Sequence, residues 1–89
     1  MKIVLQQYVE MEKGGECDLL QKEVNSDLIP IAGCFIKDLL WDNGNKIEEV
    51  LLSVEDNCYY VTMKRIELSD EARMTINEYK DMAKTHGWK

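Results

Sequence analysis

Lys46–Lys89 reads KIEEVLLSVEDNCYYVTMKRIELSDEARMTINEYKDMAKTHGWK, and the change in its apolar period decides the fold. From Lys46 to Glu55 the pattern is that of a strand, with Val50, Leu52 and Val54 expected inward and Leu51 and Ser53 outward. Glu55-Asp56-Asn57 supplies a turn. Cys58 to Leu68 then returns, with Tyr59, Val61 and Met63 on one face and Tyr60, Thr62 and Lys64 on the other. Ile66 and Leu68 lie in phase with Tyr60, so a bulge near Lys64-Arg65 is needed to bring them back to the core side.

From Ser69 the period becomes helical. Ser69 is a suitable N-cap, and Asp70 and Glu71 put negative charge at the positive end of the helix dipole. Ala72, Ile76, Tyr79 and Ala83 share one face, flanked by Thr75 and Met82, while Met74 points the other way and is expected on the surface. Lys84 and His86 sit in the last turn, and Gly87 is the expected terminator. The helix is therefore predicted over about Ser69–His86.

Working upstream, Ile3, Leu5, Val9 and Met11 share one strand face, with Gln6, Tyr8 and Glu10 on the other. Gly14-Gly15 tolerates positive φ and suits a hairpin turn into a second strand, Cys17–Val24, and Asn25-Ser26-Asp27 is a turn cluster. Leu28–Trp41 is the densest apolar stretch. Pro30 and Gly33 break it before a third strand, Cys34–Trp41. Phe35, Ile36, Leu39 and Leu40 also fit a helical period, but Asn43-Gly44 favours a hairpin with a strand on each side. The expected fold is mainly β (α+β): about five short antiparallel strands, in a meander or a small SH3-like barrel, then one amphipathic helix, in a single domain over 1–89.

The composition is globular, with 45% apolar and 31% charged residues. A net charge of −6, from 17 acidic and 11 basic residues, leaves no positive stripe for a phosphate backbone; the adjacent basic pair Lys64-Arg65 is followed by Glu67, Asp70 and Glu71. Direct nucleic-acid binding is not expected. The longest apolar run, Leu28 to Ile36, contains Pro30 and Gly33 and is too short to span a membrane, and the N-terminal apolar stretch is too short for a signal-peptide core. The three cysteines, Cys17, Cys34 and Cys58, are odd in number, widely spaced and set among strand-like neighbours. They read as buried, reduced thiols in a cytosolic protein.

Chemistry is scarce. The cysteines and His86 have no CxxC or HxxxH spacing, so no metal site is expected. His86 has Met82 and Ala83 one turn back, neither of which can orient an imidazole. Glu48-Glu49 point to opposite faces of a strand, and Glu55-Asp56 and Asp70-Glu71 occupy a turn and a helix start. Gly14-Gly15 lacks the spacing and the lysine of a phosphate loop. No catalytic residue, cofactor or enzyme activity is expected.

What remains is aromatic and apolar surface. Tyr8, Leu51 and Tyr60 fall on outward faces; Trp41 closes a strand, and Trp88 follows the helix terminator. These five form the candidate binding surface of a protein-interaction or regulatory module, which engages a protein partner or a second copy. Two alternatives stand beside it. One is a small-ligand domain with a pocket between sheet and helix, lined by Tyr59, Tyr79 and Trp88; a phosphorylated ligand would require Lys37, Lys64 and Arg65 to converge. The other is an acidic inhibitor of a basic or nucleic-acid-binding protein.

Overall fold

The computed structural model describes residues 1–12, 14–69 and 74–89. Strands β1 (Lys2–Met11), β2 (Cys17–Asn25), β3 (Phe35–Asp38), β4 (Trp41–Ser53), β5 (Cys58–Met63) and β6 (Ile66–Leu68) precede one helix, α1 (Ile76–Lys84). The molecule is mainly β, a curled half-barrel sheet with a C-terminal helix, as the sequence predicts. The strand order is β2-β1-β5-β4-β3. Three hairpin pairings are antiparallel, but β1 runs parallel to both β5 and β6, so the sheet is mixed and not a simple meander.

The parallel ladder explains the break at Lys64-Arg65. β5 and β6 lie along the same edge of β1, paired to Lys2–Gln6 and to Val9–Met11 respectively. Between them stands Gln7, fully buried on the apolar side of β1. Its Nε2 donates to the Tyr8 carbonyl (2.8 Å) and the Lys64 carbonyl (2.9 Å), and its Oε1 accepts from Asn45 Nδ2 (2.6 Å). A buried amide is tolerated only when its groups are paired, and this one stitches β1 and β4 to the interruption. Beyond the break Leu68 is buried, on the core side as expected.

The Gly14-Gly15 turn forms, with φ of 81° and 96°. Asn43-Gly44 is not a turn. The chain reverses at Leu39-Leu40, between the paired residues Asp38 and Trp41, and Asp38 Oδ2 accepts from the Leu40 amide at 3.0 Å. Asn43 and Gly44 sit inside β4, where the register shifts between Ile36↔Asn45 and Asp38↔Trp41. Gly44 has φ of 81°, and a Cβ there would meet the Ile36 carbonyl oxygen at 2.8 Å, so the glycine is required by a bulge.

The helix starts later than Ser69. Residues 70–73, including the predicted Asp70, Glu71 and Ala72, lie outside the described residues, and Met74 and Thr75 are not helical. Thr75 is the N-cap, in a reciprocal capping box: its Oγ1 accepts from the Glu78 amide (3.1 Å), and Glu78 Oε1 accepts from the Thr75 amide (3.4 Å). Ile76, Tyr79 and Ala83 are buried as expected, but Met74 packs against the core, half-buried. At the other end the Trp88 amide donates to Ala83 O and the Gly87 amide to Lys84 O, a Schellman pair around Gly87 at φ 87°. That reversal turns Trp88 into the core.

The core comprises Ile3, Leu5 and Val9 of β1, Leu20, Leu40, Trp41, Ile47, Val61, Met63 and Leu68, closed by Ile76, Tyr79, Ala83 and Trp88. Leu52 and Val54 are 53% and 85% exposed, contrary to their expected inward phase, because the β4–β5 hairpin tip projects past this core. Cys58 is buried, but Cys17 and Cys34 are exposed, which corrects the reading of all three thiols as core.

Candidate functional site

β2 and β3 end the sheet on its two sides and do not hydrogen-bond to each other along the strand order, so the half-barrel has a seam. One end of the seam is locked. Lys22 of β2 meets Asp38 of β3 at 2.7 Å, and Trp88 Nε1 donates to the same carboxylate at 3.0 Å. Burial pushes the Asp38 carboxyl up, but the Lys22 ammonium, the Leu40 amide and the Trp88 indole outweigh it and hold the group below the usual carboxylate range. Trp88 packs edge-on against Trp41 with ring centres 5.3 Å apart, and the Lys22 ammonium lies 6.0 Å from the Trp88 ring centre. Burial, then the Asp38 charge, raises the Tyr79 hydroxyl to about 12.

The other end is open. There the seam widens into a cleft of about 310 Å³ between Val24 of β2 and Phe35–Asp38 of β3, roofed in part by Ser26–Ile31. Its floor is apolar and buried: Ile3, Leu5 and Ile47. Its rim is apolar and exposed, with Leu28 at 80%, Ile29 at 69%, Ile31 at 60% and Phe35 at 70%. Of its polar side chains, Asp38 is engaged by the lock and Ser26 Oγ accepts from the Leu28 amide. Leu39, 79% exposed, stands apart from this rim, in the turn that follows the locked Asp38.

The five residues singled out from the sequence do not form one surface. Trp41 and Trp88 are 7% and 2% exposed and belong to the core, which corrects their placement at an interface. Both flank turns, but the Schellman reversal and the Leu39-Leu40 turn send their rings inward. Leu51 and Tyr60 are cross-strand neighbours, and Leu51 is exposed. Tyr60 donates to Asp56 at 2.9 Å, a bond that raises its hydroxyl to about 12. Tyr8, exposed, is four residues along β1 from Val4, the register partner of Tyr60, a separation of roughly 13 Å at the strand rise. Tyr8 instead borders a shallow polar hollow with Glu48, Lys64, Arg65 and Glu67.

The expected pocket between sheet and helix is not open, because Tyr79 and Trp88 are themselves buried there. Lys37 lines the seam cleft whereas Lys64 and Arg65 line the Tyr8 hollow, and Arg65 pairs with Glu10 at 3.2 Å, so the three cations do not converge. Among the described residues no group of three His, Cys, Asp or Glu side chains is placed to hold a metal ion, and no helix is long and apolar enough to cross a membrane. None of the seam's rim residues is singled out from the sequence, where Leu28–Trp41, the densest apolar stretch, is expected to break at Pro30 and Gly33 and continue as a strand. The rim's signal was the turn cluster Asn25-Ser26-Asp27 with Pro30 and Gly33, which marks a loop, where apolar residues are more exposed. Comparison of the chain with protein-family models, with curated proteins and with solved structures finds no match.

Proposed function

We propose that the domain is a small protein-interaction module whose docking surface is the open end of the seam. One observation carries this reading: four large apolar residues, Leu28, Ile29, Ile31 and Phe35, each at least 60% exposed, border a cleft with an apolar buried floor. Isolated exposed apolar residues are ordinary, but a contiguous patch rimming a concavity marks a contact surface. The exposed, unpaired Cys17 and Cys34 support a reducing compartment such as the cytosol. The cleft volume of about 310 Å³, at the low end of small-molecule pockets, favours a second reading in which a compact apolar ligand occupies the same place.

Site-specific photo-crosslinking separates these. A photoreactive residue at position 31 is expected to give discrete protein adducts in cells, and one at position 51, on the Leu51–Tyr60 face, none. Adducts from position 51 with none from position 31 would move the docking surface to the outward sheet face. No protein adduct from either position, with an apolar compound co-purifying, would favour the ligand reading.

A further inference from the structure

We infer that the occupant of the seam is a second copy of this chain, joined across a two-fold axis by antiparallel pairing of the two β3 strands; this rests on the seam being a docking surface. The sheet has two edge strands, and they differ. β2 is already covered in part, since Gln21 exchanges two backbone hydrogen bonds with Lys89, at 2.8 and 3.1 Å. Among the described residues β3 is the last strand on its side and pairs with no strand beyond it, only its Asp38 end being tied to β2 through the Lys22 side chain. An uncovered edge is a template for another strand.

The apolar rim supplies the rest. Four side chains at 60–80% exposure present on the order of 500 Å² of apolar surface, against the roughly 800 Å² that each partner contributes to a standard interface. The projecting rim and the receiving cleft adjoin, Leu28, Ile29 and Ile31 standing just before β3 and Phe35 and Ile36 lining the cleft from it. A two-fold operation therefore sets each rim against the other copy's cleft, the self-complementarity that an isologous contact demands. Lys37, exposed in the middle of β3, would oppose edge pairing if it faced itself. In a register centred on Ile36, with Ile36 opposite its own copy, each lysine falls opposite Phe35 of the other chain. Two chains of net charge −6 repel at long range, so association should strengthen as salt screens them.

Sedimentation equilibrium on the full chain tests this, with Phe35→Asp as the seam variant and Leu51→Asp as the control on the other exposed face. The expected result is a reversible dimer with Kd in the micromolar range, about tenfold or more weaker in Phe35→Asp, unchanged in Leu51→Asp, and tighter at high salt. Amides of Phe35–Asp38 should exchange more slowly as dimer forms. A native chain that stays monomeric up to about 1 mM, or a dimer broken by Leu51→Asp and not by Phe35→Asp, overturns the proposal. A monomer that still crosslinks another protein from position 31 overturns the second copy alone and leaves the docking surface in place.

Discussion

At Lys22 and Asp38 the two edge strands of the half-barrel are locked together; at Val24 and Phe35, two residues on along β2 and three back along β3, they part over an open cleft. The same gap in the sheet is handled in opposite ways. The locked end uses a desolvated ion pair, an indole N–H and two packed tryptophans. The open end leaves four large apolar side chains, Leu28, Ile29, Ile31 and Phe35, in water. The contrast separates two jobs. Residues at the lock should carry stability and little binding, and residues at the rim should carry binding and little stability.

The largest expected effect is at the lock. Trp88→Ala removes a 2% exposed indole, its contact with Trp41 and its bond to Asp38, and should cost about 3–5 kcal/mol in urea unfolding. Against a total on the order of 5–10 kcal/mol for a domain of this size, the variant should be largely unfolded or close to it.

Asp38→Asn is next, at about 2–3 kcal/mol near neutral pH, since it takes the charge from a carboxylate that accepts three donors. The acid side gives the sign. The folded carboxyl titrates below its unfolded value, so its stabilisation is full above about pH 4 and is lost as pH falls through the folded value. The stability gap between native protein and Asp38→Asn should therefore close on acidification. A gap that held constant down to pH 2 would mean the carboxylate charge is not what closes the seam.

Met74→Ala probes the border of the core. The side chain is half-buried against it, so the cost should be about 1 kcal/mol, larger than for a surface residue and smaller than the 2–4 kcal/mol expected for Ile76→Ala. Equal costs for the two would show that α1 is seated more deeply on its N-terminal side than the burial indicates.

The sequence announced the strands of both long hairpins and the core face of the helix, because those follow from period alone. It also held the true helix start in Thr75-Ile76-Asn77-Glu78, a capping box; the acidic run after Ser69 distracted from it. Asn43-Gly44 misled for a physical reason. Positive φ at a glycine serves a bulge as well as a turn, whereas the turn itself is built from Leu39-Leu40, which carry no turn signal. One of that pair, Leu40, is there to fill the core, at 8% exposure. The seam was illegible because it depends on β1 pairing parallel with β5, which brings residues more than fifty positions apart into register. Local patterning has no access to that: Asn25-Ser26-Asp27, Pro30 and Gly33 mark Leu28–Phe35 as a loop, but not the cleft that it rims.

The most direct test of the division is the urea unfolding of Phe35→Asp at protein concentrations low enough to keep the chain monomeric. Phe35 is 70% exposed, so the unfolding free energy should match that of the native chain to within about 0.5 kcal/mol, although a charge now stands on the rim. A loss of several kcal/mol would contradict the account, since it would make the rim part of the packed core and leave the seam no free surface with which to bind.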